Sequence, residues 1–146
     1  MDEHIYKRHN KTLLLYHLVF PVKYRRKVIS SKIGSYIKDI CLEISESFEI
    51  QFLEIGTDED HIHFLIQSVP SLSVSRIVQV IKSITAREVF QSYPGLKKSL
   101  WGGNFWTSGF YANTVGHYGD KETIRKYVEN QGMKYMIIHS EQLKLW

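Results

Sequence analysis

Two histidines separated by one residue, His61 and His63, are the first feature of the sequence that could do chemistry. They begin an apolar segment that we predict to be a strand. Because strand side chains alternate between faces, both imidazoles project to one side and Ile62 to the other. Two adjacent imidazoles suit a divalent metal ion. Two surface or cross-strand histidines would show the same spacing, but the acidic turn directly before the pair, Asp58–Asp60, favours cation binding nearby.

A tyrosine and a glutamine further along the chain are placed to complete such a site. Tyr127 and Gln131 are four residues apart in a predicted helix over residues 121–131, so they lie on one helical face. The amide oxygen of Gln131 is a reasonable hard ligand beside two imidazoles. The phenol of Tyr127 would then lie one helical turn from the metal. Alone, Tyr127 would fit better as an ordinary packing residue of an amphipathic helix, and only the combination indicates a reactive site.

The cysteine content and the charge narrow the possible functions. The single cysteine, Cys41, excludes an internal disulfide and any cysteine-cluster metal site, and its place on the apolar stripe of a predicted helix favours a core role. The formal net charge of +4 permits a nucleic-acid partner without requiring one. The basic residues form three clusters, any of which could also be solvated surface: Lys23, Arg25, Arg26 and Lys27; Lys97 and Lys98; Arg125 and Lys126.

The size and composition predict one globular domain. The chain has 146 residues, of which 43% are hydrophobic and 23% charged. We therefore expect a single domain over residues 1–146, with an ambiguous tail over residues 133–146. No apolar stretch is long enough to span a bilayer, and the first residues lack the pattern of a signal peptide. These features predict a cytoplasmic protein without membrane contact.

The elements that must position the candidate residues follow one another in the order β-α-β-β-α-β. This is the ferredoxin-like order, which predicts an α+β fold with an antiparallel sheet and both helices on one face. The other face is free to hold a site, and a third helix follows. The predicted elements are a strand over residues 12–24, a helix over 32–48, strands over 50–57 and 61–68, a helix capped by Ser71 or Ser73, a strand or β-hairpin within 100–115 around Gly102 and Gly103, and the helix over 121–131.

Four segments together resemble the single-tyrosine HUH transposases of the insertion-sequence 200/605 family, in which HUH stands for His, hydrophobic, His. The joint pattern covers roughly residues 11–131. The matching segments are residues 16–27 (YHLVFPVKYRRK), residues 57–65 (TDEDHIHFL), the aromatic-rich stretch with Leu100-Trp101, Phe105-Trp106, Tyr111 and Thr114-Val115-Gly116, and residues 124–131 (IRKYVENQ).

This resemblance implies a mechanism and a set of partners. Tyr127 would attack a phosphodiester of single-stranded DNA, leaving a 5′-phosphotyrosine and a free 3′-OH. His61, His63 and Gln131 would hold a divalent cation, Mg²⁺ or Mn²⁺, and the helix that carries Tyr127 would be an additional C-terminal catalytic helix. The resemblance also implies a homodimer that binds DNA hairpins near the element ends, with an active site assembled in cis or in trans. Lys23, Arg25, Arg26 and Lys27 are the first candidates to follow the DNA backbone.

Three alternatives remain open on the sequence. A related HUH nuclease could act on chromosomal palindromic repeats with the same metal and tyrosine. A ferredoxin-like domain could bind nucleic acid without catalysis, although the aromatic motif of RNA-binding domains is absent from the predicted central strands. A hydrolase could use His61 and His63 to activate water, which would leave Tyr127 dispensable. The sequence does not decide whether His17, His117 or Glu129 assist the site or have a structural or surface role. Base stacking is open to Trp101, Phe105, Trp106 and Tyr111, but packing in the core or a dimer interface is favoured for these large aromatics.

Overall fold

A computed structural model describes residues 4–101, 103–115 and the backbone strand 134–137. The chain begins with a short β-hairpin and continues through alternating strands and helices. Within the described ranges, no helix is long and apolar enough to cross a membrane. The elements are β1 (Ile5–Tyr6), β2 (Lys11–Thr12), β3 (Leu14–Pro21), a 3₁₀ turn (Lys23–Arg25), α1 (Ser31–Ser47), β4 (Gln51–Thr57), β5 (His61–Ser68), α2 (Val74–Ser92), α3 (Leu96–Ser99), β6 (Tyr111–Val115) and β7 (Lys134–Ile137).

The main sheet has five strands in the order β6-β3-β5-β4-β7, and every neighbouring pair is antiparallel. The first four of these strands, together with α1 and α2, reproduce the ferredoxin-like arrangement. The predicted α+β fold class is therefore confirmed. β7 extends the sheet by pairing with the outer edge of β4.

One face of the sheet packs against the helices because its strands place apolar side chains there at every second position. Leu18 and Phe20 of β3 and Ile62 and Phe64 of β5 are fully buried in this helical core. The opposite face, which we call the open face, carries a smaller apolar group together with histidines. The apolar group consists of Leu15, Leu53, Leu65 and Val115.

Serine caps fix the starts of both long helices, and Ser73 is one of the two caps that the sequence predicts for the second. The hydroxyl of Ser30 accepts a hydrogen bond from the amide of Ile33 at 3.2 Å, and that of Ser73 accepts one from the amide of Arg76 at 3.1 Å. Cys41 lies on the buried side of α1, and burial raises the pKa of its thiol. The core role predicted for this cysteine is confirmed.

The structure corrects the predicted strand or hairpin over residues 100–115. Only Tyr111–Val115 forms a strand, and the described residues before it are irregular. The reason is packing: Phe105 and Trp106 are consecutive yet both enter the helical core, at 1% and 5% exposure, whereas a strand would point them to opposite faces. Lys82 holds this segment from α2 by donating to the carbonyls of Thr107 and Gly109 at 2.7 and 2.8 Å.

The bounds of the first strand differ from the prediction, and part of the ambiguous tail is now described. The first predicted strand, over residues 12–24, is divided, because Lys11–Thr12 belongs to the N-terminal hairpin and the chain turns after Pro21 into the 3₁₀ turn. In the tail, Lys134–Ile137 is a strand. The predicted helix over residues 121–131 lies outside the described residues.

A buried hydrogen bond between α2 and the irregular segment yields a prediction. The indole Nε1 of Trp106 donates to Thr85 Oγ1 at 2.9 Å in the helical core. We expect Thr85→Val to lower the free energy of unfolding by about 1–3 kcal/mol, since a buried N–H loses its acceptor. Chemical denaturation in a double-mutant cycle with Trp106→Phe measures this. In the Trp106→Phe background the same substitution should cost clearly less, and an equal cost in both backgrounds would contradict the assignment.

Candidate functional site

His61 and His63 both lie on the open face at one end of β5. The antiparallel pairing of β3 and β5 sets Pro21 opposite His61 and Val19 opposite His63. The two ring centroids are 5.6 Å apart and the ring planes are inclined by 62°. His63 is buried at 4% exposure, whereas His61 is partly exposed. The structure therefore places the two imidazoles as strand alternation predicts, side by side on the face that the helices leave uncovered.

The first of these imidazoles is tied to the acidic turn that precedes it. Nδ1 of His61 is 2.5 Å from Oδ1 of Asp60, and Oδ2 of the same carboxylate accepts a hydrogen bond from Nε of Arg25 at 3.2 Å. Burial alone would raise the pKa of Asp60, but the hydrogen bonds from His61 and Arg25 outweigh it and hold that pKa below its ordinary value. Asp60 is therefore a carboxylate with each oxygen engaged by a different partner.

The second imidazole contacts a third histidine. Nε2 of His17, on β3, lies 2.7 Å from Nδ1 of His63, and the two rings stack with centroids 4.9 Å apart. Burial, reinforced by the repulsion that protonated His17 and His61 would exert, lowers the pKa of His63 to about 3, and burial also lowers the pKa of His17. Both rings are consequently neutral at neutral pH. A single proton then lies between the two nitrogens and forms a hydrogen bond rather than a charge repulsion.

Backbone hydrogen bonds lock the acidic turn against the 3₁₀ turn that follows β3. The amide of Val22 donates to the carbonyl of Asp60 at 2.8 Å, and that of Ile29 donates to the carbonyl of Glu59 at 2.9 Å. Tyr24 and Arg25 both adopt left-handed backbone angles, with φ of 59° and 52°. Such a conformation costs non-glycine residues about 1–2 kcal/mol each, so the surrounding contacts must hold these residues in place.

The histidine pair fits a divalent cation chemically. Neutral imidazoles are common ligands of such ions, and both rings are held on one face by sheet and side-chain contacts. Across residues 4–101 and 103–115, no group of three or more His, Cys, Asp or Glu side chains is placed to hold a metal. A cation on the pair would complete its coordination with other donors, such as water, other parts of the chain or a substrate. Tyr127 and Gln131, which the sequence predicts to complete the site, lie outside the described residues.

The four basic residues predicted to contact DNA differ in their surroundings. Lys23 is partly buried and its Nζ donates to the carbonyl of Trp101 at 2.8 Å, while Arg25 is engaged by Asp60. Arg26 and Lys27 are exposed. All four follow the end of β3 that lies opposite His61, so the basic segment adjoins the candidate site.

The aromatic residues left open by the sequence divide into two groups. Phe105 and Trp106 are core residues, whereas Trp101 and Tyr111 are 71% and 49% exposed. The Tyr111 ring also lies 6.2 Å from that of His17, centroid to centroid. The sequence assigned no contact with the pair to Asp60 and left open whether His17 assists it. The acidic turn was a signal for Asp60, but the approach of His17 depends on long-range strand pairing.

Fold and site together define an α+β protein of ferredoxin-like topology with a histidine pair on its open sheet face. Comparison with known protein families then identifies the family of the chain. The sequence pattern of the IS200-like transposases matches residues 10–131 of this chain. The chain therefore belongs to the IS200-like transposase family, and membership of that family implies a DNA-processing enzyme of a mobile element.

Individual relatives agree with the family. The chain is 34% identical over 118 residues to the ISDra2 transposase TnpA of Deinococcus radiodurans, an alignment that covers 81% of this chain and 84% of that one. It is 30% identical over 127 residues to the transposase of insertion sequence element IS200 from Salmonella typhimurium, covering 84% and 80% of the two chains.

Two solved structures share the fold. One is a proposed transposase from Deinococcus radiodurans R1, with a TM-score of 0.72 and 29% identity, covering 87% of this chain and 97% of the other. The second is a REP-associated tyrosine transposase bound to a REP hairpin, with a TM-score of 0.54 and 13% identity, covering 85% and 67%. At that level of identity the second likeness concerns the fold alone.

Proposed function

We propose that this transposase cleaves and rejoins single-stranded DNA at the ends of an insertion sequence, with Tyr127 as the nucleophile. His61, His63 and Gln131 are the proposed ligands of a divalent cation, Mg²⁺ or Mn²⁺. The observation that carries the proposal is the placement of His61 and His63 side by side on the open face of a chain that belongs to a transposase family.

The tyrosine supplies the covalent step. The phenol oxygen of Tyr127 forms a bond to the scissile phosphorus while the bond to the 3′ oxygen breaks, giving a 5′-phosphotyrosine and a free 3′-OH. The energy of the phosphodiester is retained in the adduct. A second 3′-OH can then attack the phosphotyrosine and rejoin strands without ATP. A phenol has a pKa of about 10, so it needs an environment that promotes its ionisation at neutral pH.

The histidine pair prepares a binding position for the cation before DNA arrives. His63 is neutral because burial lowers its pKa, and neutral nitrogen is the form that can bind a metal. A bound divalent cation would polarise the scissile phosphate and stabilise the departing 3′ oxygen. Imidazole ligands favour Mn²⁺ over Mg²⁺, while cellular supply favours Mg²⁺.

Two other functions fit less well, and a third is separated from transposition by experiment. Action on chromosomal palindromic repeats would use the same chemistry, but the insertion-sequence relatives are 34% and 30% identical to this chain and the REP-associated neighbour only 13%. Membership of a transposase family disfavours a binding domain without catalysis. Hydrolysis by a metal-activated water would leave no protein–DNA adduct, so the test of Tyr127 below separates it from transposition.

The proposed DNA is a hairpin with a single-stranded flank at each element end, and the proposed assembly is a homodimer. One chain has a mass of 17.2 kDa. Light scattering on the purified protein should give the mass of two chains. The mass of one chain, with or without hairpin DNA, would contradict the dimer.

The nucleophile is tested by substituting Tyr127. We expect wild type, given Mg²⁺ or Mn²⁺ and end-labelled single-stranded DNA from the element end, to form an adduct that survives a denaturing gel. Tyr127→Phe should form none, because it lacks the attacking oxygen. Tyr111→Phe is the matched control, since Tyr111 is a tyrosine on the open face near His17 and should be dispensable. Cleavage by Tyr127→Phe, or an adduct lost in Tyr111→Phe, would overturn the assignment.

The basic segment is tested through the salt dependence of binding. Each phosphate contact on single-stranded DNA contributes about 0.7 to the slope of log K against log salt. Arg26→Ala combined with Lys27→Ala should therefore make the slope shallower by about 1.4. Arg76→Ala with Arg87→Ala removes the same charge from the exposed side of α2 and should leave the slope unchanged. Equal slopes for wild type and the Arg26/Lys27 variant would remove these residues from the DNA contact set.

A further inference from the structure

Each histidine of the proposed metal site has one ring nitrogen engaged by a neighbouring side chain. Nδ1 of His61 meets the carboxylate of Asp60 at 2.5 Å, and Nδ1 of His63 meets Nε2 of His17 at 2.7 Å. An imidazole binds a metal through one nitrogen, and a hydrogen bond at the other nitrogen fixes its tautomer and orientation. The two histidines are thus held in the same way by two chemically different partners.

At His61 the partner fixes the proton without ambiguity. A carboxylate can only accept a hydrogen bond, so Nδ1 of His61 carries the hydrogen and donates to Oδ1 of Asp60. In the metal-binding form of this tautomer, the lone pair is on Nε2. Asp60 cannot turn away easily, because Arg25 holds its other oxygen and the amide of Val22 holds its carbonyl.

At His63 two proton arrangements satisfy the 2.7 Å contact with His17. If His17 donates, the neutral His63 ring carries its hydrogen on Nε2 and has no lone pair left for a metal. If Nδ1 of His63 donates to Nε2 of His17, then Nε2 of His63 is free to bind. Only the second arrangement gives His63 the same free nitrogen as His61.

We propose that Asp60 and His17 are positioning residues, which hold the Nδ1 protons of His61 and His63 so that both rings offer Nε2 to one divalent cation. Arg25 supports this arrangement by fixing Asp60, and the left-handed backbone of Tyr24 and Arg25 is the local strain that accompanies it. This inference rests on the proposed metal role of the histidine pair. It adds two residues that touch neither the cation nor DNA.

Binding of Mn²⁺, followed by electron paramagnetic resonance without DNA, tests the inference apart from activity. We expect His17→Phe to weaken Mn²⁺ binding about 10- to 100-fold, the usual effect of losing such a partner. Asp60→Asn should act similarly, because the amide can turn its NH₂ group towards Nδ1 and reverse the tautomer of His61. His17→Gln should recover most of the affinity, since its side-chain oxygen can accept the hydrogen bond from His63. A purely structural role for His17 would not predict this rescue.

The matched control is Thr85→Val, which also removes a buried hydrogen bond but lies on the helical face of the sheet. It should leave Mn²⁺ affinity unchanged. Affinity within twofold of wild type in both His17→Phe and Asp60→Asn would overturn the positioning roles while leaving the metal site intact. Unchanged Mn²⁺ binding in His61→Ala and His63→Ala, or no Mn²⁺ binding by wild type, would overturn the metal site itself and the inference with it.

Discussion

The antiparallel pairing of β3 with β5 is the constraint on which the candidate site depends. It places both histidines of β5 on the open face and brings His17 of β3 within 2.7 Å of His63. A slip of one residue would turn the histidines into the helical core and expose Ile62 and Phe64. Because these two side chains are fully buried, the apolar core fixes the register, and the register in turn fixes the imidazoles.

Features set by the local sequence could be predicted, whereas features set by contacts between distant parts of the chain could not. β5 begins at His61 and ends at Ser68, as its composition predicts, and α1 begins one residue before its predicted start because Ser30 caps it. The shared face of His61 and His63 follows from alternation alone. The irregular segment before β6 could not be predicted, since lysines from distant elements hold it. The strand β7 could not be predicted either, since it depends on pairing with the outer edge of β4. The contact of His17 with His63 spans 46 residues and likewise needs the strand pairing.

The basic segment after β3 serves structure and candidate function at once. Lys23 donates a hydrogen bond to the carbonyl of Trp101, and Arg25 donates one to the carboxylate of Asp60. Arg26 and Lys27 are exposed beside them. A DNA strand guided by these two residues would therefore pass close to the turn that orients His61. The family relationship, which spans residues 10–131, includes this turn, the histidine pair and the predicted tyrosine helix in one unit.

The proton positions on His61 and His63 are the most direct measure of whether the open face is built to bind a cation. Long-range ¹H–¹⁵N correlation spectra of metal-free protein with ¹⁵N-labelled histidine report them, with His17→Gln and Asp60→Asn as assignment aids. We predict that both rings carry their hydrogen on Nδ1 and present an unprotonated Nε2, whose signal broadens or shifts when a divalent cation is added. A hydrogen on Nε2 of His63, unchanged by the cation, would contradict it.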